Sequence, residues 1–214
     1  MALLERIQAI GRLLTAAEGQ VLFRQGTYPQ YLHVLLDGQV ALSGTSADGS
    51  SAIVELVRPG EHFVLTAVLA AQPYRITAVT VAKSRLLLID AAALLRLMDS
   101  EPELAAALRR SVSREFAAMV RQVRDLKMRT LPQRLGCYLL GLLLDGTAET
   151  ADFRLPFDKG LLAGRLGCRR ENLSRAFVTL RQHGVETHGS RVILHDIPRL
   201  RAFALPDADP TPPE

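Results

Sequence analysis

FDKGLLAGRLGCRRENLSRAFVTLRQHG, residues 157–184, is the segment from which the rest of the 214-residue chain can be organised. Asp158 stands where an N-cap is expected for a helix running through Leu166. Gly167-Cys168 then makes a turn, because glycine reaches backbone conformations closed to other residues. A second helix is expected over 170–182, with Leu173, Phe177 and Leu180 on its buried side. Ala163 is small enough to let the two helices cross closely. Downstream, 185–187 and 192–194 around Gly189-Ser190 read as a β-hairpin. Two helices joined by a short glycine turn, followed by a hairpin, form a winged helix-turn-helix.

On the second helix Arg170, Glu171, Ser174 and Arg175 are spaced i, i+1, i+4, i+5, which puts them on one face near its start. Arginine can donate two hydrogen bonds to guanine, glutamate can accept from the cytosine amino group, and serine can do either or touch a thymine methyl. Arg169, Asn172 and Arg181 are placed to reach phosphates or flanking bases. The plainer reading of such a face is a solvated surface with Glu171–Arg175 as an i,i+4 pair. Its position within a turn-helix-wing unit favours double-stranded DNA.

The charge distribution agrees. Residues 1–100 carry 8 basic and 8 acidic side chains, whereas residues 101–200 carry 17 basic and 11 acidic. The positive excess therefore sits with the winged helix, as expected for an anionic partner. Upstream lies a long helix opened by Glu101-Pro102-Glu103, with acids facing the positive helix end. Its Leu104, Leu108, Val112, Phe116, Met119, Val123 and Leu126 form one apolar stripe. The stripe could pack on its own domain or on a second copy, and its length favours a second copy. Thr130-Leu131-Pro132 reads as a hinge, Leu135, Leu139, Leu142 and Leu143 as the next helical face ended by Asp145-Gly146, 153–157 as a short strand, and Asp196-Ile197-Pro198 as the start of a last helix.

The first third has a different texture. Gly19, Gly26, Gly38, Gly49 and Gly60 punctuate β-rich runs at 21–23, 31–36, 40–42 and 52–57, and 76–89 adds two more. Short strands at this spacing indicate an all-β sandwich or barrel. A short helix over 91–98, capped by Asp90, closes it. The expected class is α+β in four parts: a β-roll of jelly-roll type over 1–99, a dimerisation helix over 100–128, the winged helix-turn-helix over 129–205 and a disordered tail over 206–214, which holds four prolines and three acids.

Other classes are poorly supported. Cys137 and Cys168 are the only cysteines, so neither a disulfide scaffold nor a four-cysteine metal or iron–sulfur site is available. The apolar runs are too short to cross a membrane, and Glu5 interrupts the apolar start, which makes a poor signal peptide and places the chain in the cytoplasm by default. A cupin-type enzyme needs clustered histidine ligands, but His33 and His62 stand apart, and no nucleophile, P-loop or dinucleotide motif is present. A regulatory module acting only through protein contacts remains a second reading.

The order of β-roll, long helix and winged helix resembles the CRP/FNR family of bacterial transcription regulators across nearly the whole chain. The resemblance rests on Gly19-Gln-Val-Leu-Phe-Arg-Gln-Gly26, Leu36-Asp-Gly-Gln-Val-Ala-Leu42, Pro59-Gly-Glu-His-Phe63 and Gly167-Cys-Arg-Arg-Glu-Asn-Leu-Ser-Arg175. Glu171-x-x-Ser174-Arg175 looks like the recognition signature of the FNR and DNR branch, which implies TTGAT-like half-sites in an inverted repeat. Arg170 is instead similar to the catabolite-activator branch. The resemblance also implies a homodimer joined through the long helix, RNA polymerase as a partner, no catalytic activity, and an effector site in the β-roll near Phe63, Thr66, Arg75, Thr77, Met119 and Val120. The family's cyclic-nucleotide pocket has a Gly-Glu pair after Pro-Gly-x-x-Phe and an Arg-Ser/Thr-Ala run. Here those read Phe63-Val-Leu-Thr and Arg75-Ile-Thr-Ala78, and Met119 and Val120 replace hydroxyl groups, so cyclic AMP is not expected. DNR-like and CooA-like relatives use haem, with His33 and His62 as the histidines open to that role. The two cysteines read as small buried residues without an activated thiolate.

Overall fold

The computed structural model describes residues 3–46, 51–143, 147–156 and 158–205. The chain divides into two compact units, residues 1–119 and 120–214. The boundary falls inside the long helix rather than at its two ends. The expected tail, 206–214, lies outside the described residues, as do the Asp48-Gly49 and Asp145-Gly146 turns.

The first unit holds α1 (Leu3–Ala9), β1 (Gly11–Ala16), β2 (Val21–Phe23), β3 (Tyr31–Asp37), β4 (Val40–Thr45), β5 (Ser51–Val57), β6 (His62–Phe63), α2 (Leu65–Ala70), β7 (Thr77–Thr80), β8 (Ser84–Asp90), α3 (Ala91–Ser100) and the beginning of α4 (Pro102–Met128). Its strands form two antiparallel four-stranded sheets, ordered β1-β8-β3-β6 and β2-β7-β4-β5. Phe23, Leu35, Val40, Leu42, Phe63 and Leu86 are among the residues buried in one cluster of this unit. The Asp37-Gly38 corner between β3 and β4 requires glycine: Gly38 has φ +87°, and a Cβ would meet Ser84 Cα at 2.6 Å.

Four elements were not visible in the sequence. Helix α1 and strand β1 follow each other in a stretch that mixes apolar with charged residues, and β6 has only two residues. Helix α2 has no side-chain cap; its N-cap is Val64 in the left-handed region, φ 63°. A β-branched residue there is strained. Asp90 does cap α3, accepting from the Ala93 N–H at 2.7 Å.

The apolar stripe of α4 divides. Leu104 is buried with Leu32, Leu65 and Leu94, and Leu108 and Val112 pack against the same cluster. Phe116, Met119, Val123 and Leu126 are exposed. Packing of the whole stripe on a second copy was expected, but its first third belongs to its own unit, because α3 and the end of β8 present an apolar surface to it.

The second unit holds the rest of α4, then α5 (Leu131–Leu140), β9 (Ala151–Arg154), α6 (Lys159–Arg165), α7 (Arg170–Arg181), β10 (Val185–His188), β11 (Arg191–Leu194) and α8 (Ile197–Ala204). Gln133 accepts from the Thr130 backbone N–H at 2.9 Å and fixes the start of α5. The helix ends at Gly141, so Leu142 and Leu143 lie beyond it. Gly136 lets α5 and α8 meet closely: a Cβ there would lie 2.8 Å from Ala204 Cβ. The strand expected over 153–157 is β9, set earlier in the chain, where it pairs with β11 to complete a three-stranded sheet, β10-β11-β9.

His33 is a buried ionisable group of the first unit, 4% exposed. Its ring packs against Phe23 and Phe63, each with centroids 5.2 Å away. Burial lowers its pKa to about 4, opposed by a backbone hydrogen bond at Tyr31. Because the native pKa lies below the unfolded one, this group's contribution is complete above about pH 6.5 and is lost as pH falls towards 4. Urea titrations should show the first unit losing about 3 kcal/mol from this group between pH 7 and pH 4, and His33→Phe should flatten that part of the profile. An unchanged pH dependence in the variant would contradict the assignment.

Candidate nucleic-acid interface

Helix α6 is started by Asp158, whose Oδ1 accepts from the Leu161 N–H at 3.0 Å. It ends where Cys168 N–H donates to the Ala163 carbonyl at 2.9 Å and Gly167 takes φ +65°. Ala163 is buried at the crossing, as its size required. Arg134 of α5 steadies the turn by donating to the Leu166 carbonyl at 3.2 Å.

Helix α7 buries Leu173, Ala176, Phe177 and Leu180, and the Lys159 ammonium lies 5.0 Å from the centre of the Phe177 ring. All seven residues expected to contact DNA are exposed: Arg169, Arg170, Glu171, Asn172, Ser174, Arg175 and Arg181. Among the described residues, Glu171 and Arg175 form no ion pair with each other, so the i,i+4 pair of the plainer reading is not made. Ser174 donates its hydroxyl to the Arg170 carbonyl at 3.1 Å, which leaves its oxygen as an acceptor. Arg170 extends across the start of α6, where a Cβ on Gly160 would overlap its guanidinium. Gly160 was not singled out in the sequence; a glycine two residues after an N-cap was the available signal. Val178, 58% exposed on the same helix, was also missed.

The residues expected around an effector do not share one environment. Phe63 is core, whereas Thr66 and Arg75 are exposed. The Thr77 hydroxyl accepts from the Gln25 N–H at 3.0 Å. Met119 and Val120 are exposed on α4. Of the two positions directly after Phe63, Val64 is left-handed and Leu65 is wholly buried. Ile76 packs against the core cluster.

His62 contacts two residues one helical turn apart on α4. Its Nε2 lies 2.6 Å from Ser111 Oγ and its Nδ1 3.1 Å from Glu115 Oε1. Burial raises the pKa of Glu115, partly offset by His62. Burial also raises both thiols, and Cys137 donates to the Ala204 carbonyl at 3.2 Å; neither has the lowered pKa of a reactive cysteine. Among the described residues no group of three His, Cys, Asp or Glu side chains is placed to hold a metal ion, and no helix is long and apolar enough to cross a membrane.

Comparison with known proteins gives two matched domains. Residues 13–101 match the cyclic nucleotide-binding domain and residues 133–203 the Crp-like helix-turn-helix domain. A CRP-like cAMP-activated global transcriptional regulator of Mycobacterium tuberculosis is 24% identical over 186 residues, covering 85% of this chain and 83% of its own. The nitrogen fixation regulation protein FixK of Azorhizobium caulinodans is 26% identical over 201 residues, covering 91% and 80%. Among solved structures, a protein of Ruegeria pomeroyi described as cyclic nucleotide binding is 32% identical, with a TM-score of 0.66 over 94% of this chain and 88% of its own. FixK2 of Bradyrhizobium japonicum has the same fold, with a TM-score of 0.80 at 19% identity over 94% and 100%.

The turn between α6 and α7 yields a direct check. A Cβ on Gly167 has open space but the wrong backbone conformation. Gly167→Ala should lower stability by about 1–2 kcal/mol in thermal unfolding; an unchanged melting temperature would contradict the strained turn.

Proposed function

The chain belongs to the CRP/FNR family of DNA-binding transcription regulators, and on that premise we propose that it works as a homodimer on an inverted-repeat operator. The observation that carries this reading is the exposed face of α7, where Arg170, Glu171, Ser174 and Arg175 stand above a buried apolar side and Glu171 and Arg175 form no ion pair with each other. Glu171, Ser174 and Arg175 read a TTGAT-like half-site, and Arg169 and Asn172 set the register on the backbone. Its relatives are transcription regulators rather than enzymes.

The second copy covers the outer part of the α4 stripe. Phe116 and Met119 are 68% and 61% exposed in the single chain, and Val120, Val123 and Leu126 continue the patch. An apolar face of this length is costly in water. Pairing it places two recognition helices on half-sites about 34 Å apart. RNA polymerase is the further partner of such a regulator.

The effector acts on the β-roll and is not cyclic AMP. Leu65 fills core where a ribose-binding carboxylate would be needed, and Ile76 takes the place of a phosphate-binding hydroxyl. Each unmatched polar group of the nucleotide would cost ~1–3 kcal/mol. Haem does not fit the histidines either. His33 is enclosed by aromatic rings, and His62 has its Nε2 2.6 Å from Ser111 Oγ and the Glu115 carboxylate 3.1 Å from its Nδ1.

Glu171→Ala and Arg175→Ala should each weaken binding to a TTGAT inverted repeat by ~1–3 kcal/mol and reduce discrimination at one base pair. Unchanged binding in a gel shift would favour the reading in which the winged helix makes protein contacts only. Calorimetric titration with cyclic AMP should give no saturable heat at micromolar ligand, and haem should give no Soret band saturating at one per protomer; either signal would overturn the effector assignment.

A further inference from the structure

The wing carries a group of side chains that reading of bases by α7 does not use. Glu186 and His188 lie two residues apart on β10 and therefore on one face of the hairpin. His195, just after β11, lies diagonally across from Glu186, since Glu186 is paired with Ile193. The Nε2 of His188 is 2.7 Å from one carboxylate oxygen of Glu186, and the Nε2 of His195 is 2.8 Å from the other. With Arg181 and Thr187, these residues line a recess of about 340 Å³ between the end of α7 and the wing.

The hydrogen-bond chemistry fixes the proton positions. An ionised carboxylate can only accept, so both Nε2 atoms must donate to it. In the neutral imidazoles each Nδ1 is then a lone-pair acceptor, which repels a phosphate oxygen. A second proton turns Nδ1 into a donor while the bond to Glu186 is kept. The trio thereby passes from one net negative charge to one net positive charge. Histidine is the side chain whose charge ordinarily changes near neutral pH.

We propose that this recess binds a DNA backbone phosphate in a proton-dependent way, with His188 and His195 as the titrating donors and Arg181 as the permanent cation. The proposal rests on the winged-helix reading above. Around it, Arg191 on β11 is paired with Asp152 on β9, with Nε to Oδ1 at 2.9 Å, and Arg154 on β9 stands opposite Arg191. Asp152 is held ionised by Arg191, and Glu186 by the two imidazoles, each below its ordinary carboxylate value. Between pH 8 and pH 6 Asp152 and Glu186 therefore keep their charge.

The test is the fluorescence anisotropy of a labelled TTGAT inverted-repeat duplex, and of a scrambled duplex of equal length, at pH 8 and pH 6 across a salt series. A phosphate contact is blind to base sequence. The full-length wild type should therefore bind both duplexes roughly tenfold more tightly at pH 6, with a log–log salt slope steeper by about one to two. The double variant His188→Gln/His195→Gln keeps an N–H for Glu186 but does not titrate. It should fold as wild type by circular dichroism and lose the steepening, while Glu186→Gln should tighten binding at pH 8. Identical pH and salt profiles for wild type and double variant overturn this proposal alone. Absence of binding to either duplex at both pH values overturns the winged-helix reading and this one with it.

Discussion

The apolar stripe of α4 constrains everything else in this protein. A helix of 27 residues is about 40 Å long, longer than one small unit can cover. Leu104, Leu108 and Val112 are accommodated by α2, α3 and the end of β8. From Phe116 onward the stripe faces water in a single chain. Each large side chain left exposed forgoes ~1.5–3 kcal/mol of burial. The same helix is thus both part of the β module's core and an open apolar surface.

The winged helix solves a different problem, that of presenting polar chemistry rigidly. Leu173, Ala176, Phe177 and Leu180 hold one side of α7 in the core, so Arg170, Glu171, Ser174 and Arg175 project from a fixed frame. The frame depends on small residues. Gly167 makes the turn, Ala163 the crossing, Gly160 clears the path of Arg170, and Gly136 lets α8 approach α5. A larger residue at Gly136 would press on Ala204 of α8, whereas at Gly167 the obstacle is the left-handed backbone rather than a clash.

Elements that carry their own punctuation were legible in the sequence. Asp90 before α3, Asp158 before α6, Gly167 in the turn and Asp37-Gly38 at the β3–β4 corner each name a local conformation. Elements defined by packing were not. Strand β1 and helix α2 lack caps or turn residues; Val64 adopts a left-handed conformation that its β-branched side chain resists, and it is held there by the surrounding core. The α7 face was legible because helical spacing fixes which residues share a side. Positions distant in sequence carry no such signal, and Phe63, Arg75 and Met119, expected together around an effector, occupy three different environments. His62 was read as an isolated histidine because Ser111 and Glu115, one turn apart on α4, have no signal pointing back to it.

In the proposed dimer, paired α4 helices hold two α7 helices at a fixed separation so that they read one operator together. The most direct measurement is analytical ultracentrifugation of the full chain on duplexes whose two TTGAT half-sites are one helical turn apart, or that turn plus about five base pairs. Two chains should bind each duplex cooperatively at the first spacing, and that complex should be lost when the inserted half-turn rotates one half-site to the opposite side of the DNA. Equal binding at both spacings, or one chain per duplex at either, would contradict it.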